Sequence, residues 1–344
     1  MINLRSLRQL TACRFRESLR EPEVIFWVFV FPLLLAFGLG IAFRERPPEK
    51  IYVAIHNQPD AAALRDLLSR TPQIQAQIMD PAVAATALRL GKVVLALVPG
   101  PAVEYRYDPS RPDSLLARAM VDSALQNAAG RKNPLPTIER TVTEPGGRYI
   151  DFLIPGLIGM NLMGGGMWGV GFSIVDMRIK KLLKRLMATP MRKSEFMISI
   201  ICSRLVFMVV EILLLLVFGY WVYGMRIQGG LLPLSVVGLF GSLSFTGMGL
   251  LVASRARRIE TVSGLMNLVM LPMYVLSGIF FSADRFPPPF QPFIQALPLT
   301  ALNDALRAVI LEGAGLISQA GELAILAAWG ILSFFLAMRW FRWN

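Results

Sequence analysis

A single carboxylate interrupts one of the long apolar stretches of this sequence. Glu211 lies near the middle of residues 196–222, and Arg204 precedes it on the same helical face, about two turns away. A charge at the centre of a membrane helix costs about 2.5–3.5 kcal/mol, so such residues are functional candidates by default. We predict that Glu211 faces a protein interior, where it lines a path or holds a bond between helices. A protonated or paired structural carboxyl is an equally open alternative.

A second candidate region is a basic segment at residues 176–195, which lies between two apolar stretches. Its first half has apolar residues at the spacing of a helix face, and Pro190 should end that helix or begin a new one. The segment is either a positively charged cytosolic loop or a docking site for a cytosolic partner. The helix-face residues are Ile179, Leu182, Leu183 and Leu186, and the docking candidates are Lys184, Arg185, Leu186, Met187, Ala188, Thr189, Pro190, Met191, Arg192 and Lys193.

Other polar residues within apolar sequence are weaker candidates. Asn161 and Asn267 could contact a substrate, but such amides more often form hydrogen bonds between helices. Asp304 and Arg307 are three residues apart, which favours a local ion pair on one helix. The alternative is that these two residues form a gate at an outer mouth.

The sequence offers little for catalysis or metal binding. His56 is the only histidine, and neither GxxxxGK[ST] nor HExxH occurs. The two cysteines, Cys13 and Cys202, lie outside the one large polar region, so no disulfide framework is indicated there. We expect no catalytic residue, no metal site and no cofactor bound by this chain.

The composition is that of a membrane protein. Of 344 residues, 54% are hydrophobic, above the roughly 45–50% of soluble domains, and the mean hydropathy is +0.53. The net charge of +12 could indicate nucleic-acid binding. We reject nucleic acid as a partner because the basic residues flank apolar stretches, as membrane topology requires.

The elements that must position these residues are six predicted membrane spans. An amphipathic helix at 1–23 precedes the first span and lies in the membrane interface. A polar region at 44–148 alternates strand-like and helix-like segments and predicts an α/β domain. A proline-rich region at 282–315 predicts a re-entrant or interfacial hairpin with a helix at 300–311. The predicted spans are 24–43, 150–175, 196–222, 231–253, 261–281 and 321–337.

The distribution of lysine and arginine predicts the orientation. Five lie in 1–23, seven in 176–195, three in 254–260 and two after residue 337, against one in 223–230 and two in 282–320. Basic residues concentrate in cytosolic loops, so both termini should be cytosolic. The fold class is therefore an α-helical polytopic membrane protein with six transmembrane helices and an extracytoplasmic α/β domain inserted between the first and second spans.

Several motifs, taken together in their order along the chain, resemble those of the ABC-2 type permease family, the membrane subunits of ATP-binding-cassette exporters. The resemblance covers nearly the whole chain. The 183–197 segment, LKRLMATPMRKSEFM, is similar to the coupling region that follows the family's second span. The entry to that span, YIDFLIPG at 149–156, and the segments SGIFF at 277–281, LPLT at 297–300 and DALR at 304–307 are also similar. Many members carry an acidic Glu-Arg-Glu run before the coupling segment, whereas this chain has MRIKKLLKR at 177–185.

The resemblance implies an exporter subunit in a bacterial inner membrane, which moves a drug, lipid or other amphiphile. It implies a second permease subunit in a homodimer or heterodimer, contacts with membrane lipids, and separate cytosolic ATPase subunits that carry ATP and Mg²⁺. Glu211, Asn161 and Asn267 are then candidates for the substrate path. Two alternatives remain: a membrane-anchored sensor or assembly factor whose outer domain binds a ligand, and an ion-coupled secondary transporter.

Overall fold

A computed structural model of the protein describes residues 9, 11–12, 15–16, 20–43, 50–131, 147–188 and 193–341, with only the backbone at 187, 193 and 194. The chain divides into two compact units, one formed by 1–44 with 143–344 and the other by 45–142. Most of the predicted interfacial helix at 1–23 lies outside the described residues.

The first apolar helix, α1 (Pro22–Ala42), contains one turn of π-helix at Phe26–Val30. Pro32 lies two residues after the end of this turn. Proline has no N–H, so a residue one turn earlier loses its intrahelical donor, and membrane helices adjust locally around such a gap. The predicted first span at 24–43 is therefore a helix whose hydrogen-bonding pattern changes where the proline requires it.

Residues 50–131 form a four-stranded sheet with three helices. As predicted, strands and helices alternate along most of this region. Their bounds are β1 Ile51–His56, α2 Ala61–Leu68, β2 Ile74–Met79, α3 Pro81–Arg89, β3 Leu95–Val98, β4 Glu104–Arg106 and α4 Pro112–Ala128. The order of the strands in the sheet is β2–β1–β3–β4, with β1 parallel to β2 and β3, and β4 antiparallel to β3.

The two faces of this sheet bury different residues. Strand side chains alternate between faces, so neighbours in β1 belong to different cores. Val53 and Ile55 pack in one core with Leu68 of α2 and Val121 of α4. Ala54 packs on the other face, where small alanines let α3 approach the sheet closely; its partners are Ala84, Ala87, Val93 and Ala96.

The second apolar helix, α5 (Tyr149–Ile179), is the most buried of the six that are long and apolar enough to cross a membrane in the described part of the chain. A π-helical segment, Gly165–Gly169, interrupts its α-helical hydrogen bonding. The helix extends four residues beyond the predicted end at 175. This helix contacts most of the other apolar helices, and its many glycines allow their backbones to approach closely.

The helix predicted over the first half of the basic segment is interrupted, so that prediction is wrong at one point. Helix α5 ends at Ile179, and the short helix α6 (Leu182–Met187) begins after Lys181, whose φ of +57° lies in the left-handed region. The chain therefore changes direction at Lys180–Lys181. Ile179 is about half exposed and Leu183 is buried, so the two do not share one apolar face. The predicted effect of Pro190 falls outside the described residues.

The remaining apolar helices confirm the predicted spans, with one correction. The fifth ends at Leu276 rather than at 281, because Ser277–Gly278 leaves the helix and Gly278 adopts a φ of +70° that favours glycine. With α1 and α5, the described residues contain six apolar helices. The other four are α7 (Lys193–Tyr223), α8 (Leu231–Ala253), α9 (Ile259–Leu276) and α12 (Ala320–Trp340); α12 follows two further helices.

Those two helices form a bent pair. Two short 3₁₀ turns, Ala283–Arg285 and Pro288–Phe290, precede α10 (Gln291–Gln295) and α11 (Pro298–Glu312). The segment Pro288–Gln295 meets α11 at 84°, a geometry typical of a broken span or a re-entrant loop. Helix α11 begins two residues before the predicted start, and most of its residues are buried within the bundle.

Candidate functional site

The carboxylate of Glu211 is buried and paired with an arginine of its own helix. Arg204 donates from Nη1 to Oε1 at 2.5 Å and from Nη2 to Oε2 at 2.8 Å. Both side chains are almost fully buried, at 6% and 1% exposed. The seven-residue separation is about 10.5 Å along a helix, and the extended guanidinium side chain covers it. Of the two roles predicted for Glu211, this geometry fits the structural one, in which the buried carboxyl is paired.

The same guanidinium contacts the glycine-rich part of α5. Arg204 Nη2 also donates to the carbonyl oxygen of Leu162 at 3.3 Å. A Cβ atom at Gly165 would lie 2.3 Å from Arg204 Nη1, far closer than van der Waals contact allows. Gly165 begins the π-helical segment, so the absence of a side chain there makes room for the charged group. The pair thus fixes α7 against α5.

Asn161 repairs the hydrogen bonding that Pro32 interrupts. Its Nδ2 donates to the carbonyl oxygen of Val28 at 2.8 Å, and Val28 lies one turn before Pro32 in α1. Proline cannot donate to that carbonyl, and a neighbouring helix supplies the missing donor. Asn161 is buried at 8% exposed. The structure thus places this path candidate in a contact between helices.

The third path candidate has a different environment. Asn267 is exposed on α9, on a face that also carries the exposed Leu268 and Leu271. Glu211 and Asn161 are buried, so the structure does not bring the three predicted path residues to one surface. The opposite face of α9 packs into the core and contains Val262, Met266, Met270 and Met273.

The predicted Asp304–Arg307 pair is present, but it is not the closest contact of the arginine. Arg307 Nη1 lies 3.4 Å from Asp304 Oδ1, and the carboxylate is about half exposed. Arg307 Nη2 also donates to the carbonyl oxygen of Gly278. Its guanidinium lies 3.8 Å from the centre of the Phe152 ring, a cation–π geometry. Arg307 therefore connects α11, the turn after α9, and the start of α5.

Two arginines at the ends of α5 were missed by sequence reasoning. Arg148 donates to both carboxylate oxygens of Asp151 at 2.9 Å and to the carbonyl oxygen of Tyr223, the last residue of α7, at 2.8 Å. At the other end, Arg178 donates to the carbonyl oxygens of Ala253 at 2.9 Å and Ser254 at 3.2 Å. The available signal was a basic residue at each boundary of an apolar stretch. Arg178 was interpreted only as one of the basic residues of the 176–195 segment, and Arg148 was not singled out.

The docking candidates are described in part. Lys184, Arg185 and Ala188 are exposed, while Leu186 is half-buried and packs against the protein's own core. Only the backbone is described for Met187 and for Lys193, which begins α7. The remaining candidates, Thr189, Pro190, Met191 and Arg192, lie outside the described residues. The exposed part of this segment is therefore basic and lies next to the end of α5.

Six long apolar helices share one core, with one buried ion pair inside α7 and another at the start of α5. These features define a polytopic membrane protein. The sequence model of a family described as "ABC-2 family transporter protein" matches residues 22–339. The chain therefore belongs to the ABC-2 transporter family, and the resemblance found in the sequence is confirmed. Members of this family serve as the permease part of ABC transporters.

The chain is similar to several characterised or named proteins. It is 29% identical over 228 residues to ABC transporter G family member 20 of Dictyostelium discoideum, which covers 65% of this chain and 31% of that protein. It is 24% identical over 168 residues to linearmycin resistance permease protein LnrN of Bacillus subtilis, covering 49% and 43%. It is 21% identical over 343 aligned positions to the probable multidrug ABC transporter permease YbhS of Escherichia coli, covering 91% and 90%. The chain spans less than half the length of the first two relatives.

Proposed function

We propose that this protein is the permease subunit of an ABC exporter that moves an amphiphile, such as a drug or a lipid, out of the cytosol or the inner leaflet. The observation that carries the proposal is the direct connection between the basic helix α6 and α5, the most buried of the apolar helices described. A partner that moves α6 would act at once on the centre of the bundle. The names of the relatives LnrN and YbhS support export of this kind.

The energy would come from a separate ATPase. Cytosolic ATPase subunits would bind ATP and Mg²⁺ and would dock on the 176–195 segment. Lys184 and Arg185 are exposed, so they are free to pair with acidic residues of such a partner. This chain acts as a transport subunit and holds no nucleotide of its own.

The orientation follows from the basic residues. We place both termini in the cytosol and residues 44–148 outside it, in a bacterial inner membrane. The segments at the cytosolic side carry most of the lysine and arginine of the short loops, as the positive-inside rule requires. The sheet unit carries several exposed charged residues, which suits an aqueous environment.

A second permease subunit would cover α9. An amide such as Asn267 is costly to expose to lipid unless it finds a hydrogen-bonding partner. A second subunit, identical or different, would supply that partner and enclose a path between the two α9 surfaces. The substrate path is then better supported at Asn267 than at Glu211 or Asn161, whose side chains have partners within this chain. An outer gate at Asp304 and Arg307 has no further support.

The same geometry weakens the ion-coupled alternative. A carboxylate that binds and releases a proton or Na⁺ during transport must change its partners easily. Glu211 is held by two hydrogen bonds to one guanidinium, which stabilise the charged form and fill the sites that an ion would occupy. Transport that is unchanged in Glu211→Gln would exclude a direct role in the path.

Docking can be tested with charge reversal on α6. Candidate cytosolic ATPases would be co-purified with the detergent-solubilised chain and with the variant Lys184→Glu/Arg185→Glu/Ala188→Asp, which changes exposed side chains only. The matched control is Arg89→Glu/Lys92→Glu, which reverses two exposed charges in the sheet unit. We expect an ATPase to bind the wild type and the control but not the variant. Failure of every ATPase to bind the wild type would contradict the proposal.

A further inference from the structure

The end of α5 is fixed to the end of α8 by one side chain. Arg178 donates to three carbonyl oxygens, those of Ala253, Ser254 and Ala256. These carbonyls belong to the last residue of α8 and to the turn that leads to α9. Carbonyls at a helix C-terminus have no intrahelical donor, and a cation there also interacts favourably with the helix dipole. Arg178, which belongs to α5, therefore caps the C-terminus of α8.

A third element joins this contact. The guanidinium of Arg178 lies 5.5 Å from the centre of the Phe341 ring, and Phe341 follows directly after α12. Such a contact is attractive because the negative face of the aromatic ring faces the cation. The ends of three apolar helices, α5, α8 and α12, thus meet at one charged side chain.

The opposite end of α5 is built in the same way. Arg148 donates to the carbonyl oxygen of Tyr223 at the C-terminus of α7, as Arg178 does at the C-terminus of α8. Helix α5 is therefore attached to a different neighbour at each end. A displacement of one end cannot be taken up by sliding of α5 alone, because both capping contacts would have to break.

The chain changes direction immediately after Arg178. Lys181 is the only residue other than glycine with a positive φ in the described part of the chain, and α6 begins directly after it. Helix α6 carries the exposed Lys184 and Arg185. A movement of α6 therefore reaches the bundle through the last turn of α5, where Arg178 is located.

We propose that Arg178 is the positioning residue that transmits movement of the 176–195 segment to the α8–α9 turn and hence to α9. This inference rests on the proposed function, because an ATPase must supply the movement. The contact depends on the planar guanidinium of Arg178, which donates to three carbonyl oxygens at once. A lysine ammonium is a compact point charge and cannot reach the same three oxygens in this way. Lysine should therefore restore the transmission only in part.

The test measures movement at both ends of the proposed route. Cys13→Ser/Cys202→Ser provides a cysteine-free chain. A single spin label is introduced by Lys181→Cys, an exposed position directly before α6 and outside the docking candidates, or by Glu260→Cys at the start of α9. The full chain is placed in lipid nanodiscs with the ATPase found by co-purification, and spectra are compared with and without ATP and vanadate. The variants are Arg178→Gln and Arg178→Lys. The control is Arg255→Gln, which removes a charge from the same turn, where Arg255 contacts the Trp340 ring.

We expect both labels to respond to nucleotide in the wild type and in Arg255→Gln. In Arg178→Gln, the response at 181 should persist while the response at 260 falls at least fivefold, and the response at 260 in Arg178→Lys should lie between those of the wild type and Arg178→Gln. An unchanged response at 260 in Arg178→Gln would overturn the inference, as would a wild type in which only the label at 181 responds. If Arg178→Gln does not assemble, an unchanged response at 260 in Arg178→Lys overturns the inference instead. A wild type that binds no ATPase, or in which neither label responds, would instead contradict the proposed function.

Discussion

Arg204 and Glu211 form a buried, two-bond ion pair within a single helix, seven residues apart. Such a pair lets a membrane helix carry two charges whose fields largely cancel. The guanidinium also reaches the carbonyl oxygen of Leu162, so part of its hydrogen-bonding capacity is used between helices. A charge pair that is complete inside one subunit stabilises the bundle and leaves no free charge for a substrate.

The pair predicts a strongly non-additive response to mutation. Glu211→Leu leaves a buried arginine without its counter-charge, and loss of one partner of a buried ion pair typically costs about 3–5 kcal/mol. The double variant Arg204→Leu/Glu211→Leu removes both charges and should recover most of that loss. Thermal unfolding of the three proteins in one detergent measures the effect. A double variant as unstable as Glu211→Leu would show that the pair does not act as a unit.

Gly165 should be far less tolerant of alanine than its neighbour Gly164. A Cβ at Gly165 would lie 2.3 Å from Arg204 Nη1, whereas a Cβ at Gly164 meets nothing within 4 Å. We expect Gly165→Ala to cost about 1–3 kcal/mol through overpacking and displacement of the guanidinium. Gly164→Ala should be close to neutral and serves as the control in the same unfolding experiment. Equal effects of the two substitutions would contradict the proposed contact.

The periodic features of this fold were predictable, and the contacts that depend on a single side chain were not. The apolar stretches predicted the six spans, and the alternating strand-like and helix-like segments predicted strands and helices within residues 44–148. Both predictions work because buried residues recur at the period of the element that buries them. The change of direction at Lys181 was not predictable, because apolar spacing continued across it. A bond between Arg204 and Glu211 was not predicted, because the two residues are two helical turns apart and the reach of the arginine side chain was not considered.

The sheet unit contains a tyrosine whose pKa predicts an alkaline limit to its stability. Burial, and a hydrogen bond from the Tyr105 hydroxyl to Asp122 at 3.0 Å, raise the pKa of Tyr105 to about 12. The ordinary value is about 10, so the neutral phenol stabilises the fold fully below pH 10, and this contribution is lost as the pH rises through 12.

Phenolate absorbance tests this assignment. The difference between the titrations of the full wild-type chain and Tyr105→Phe isolates one phenol, and its midpoint should lie near 12. Tyr107→Phe provides a comparison, since that ring contacts the same Arg118 as Tyr105 does. A midpoint near 10 for the Tyr105 difference would show that its hydroxyl is neither buried nor bonded to Asp122.

The last prediction concerns Asn161 and Pro32, which lie on different helices and both affect the carbonyl oxygen of Val28: Asn161 donates to it, and Pro32 lacks the N–H that would. Asn161→Leu removes the donor and leaves that carbonyl without a partner in an apolar environment, at a cost of about 1–3 kcal/mol. Pro32→Ala supplies a backbone N–H within α1 that can serve the same carbonyl. The double variant Asn161→Leu/Pro32→Ala should therefore be more stable than Asn161→Leu alone. Thermal unfolding of the four proteins gives the coupling energy, and additive effects would mean that the proline and the asparagine do not share Val28.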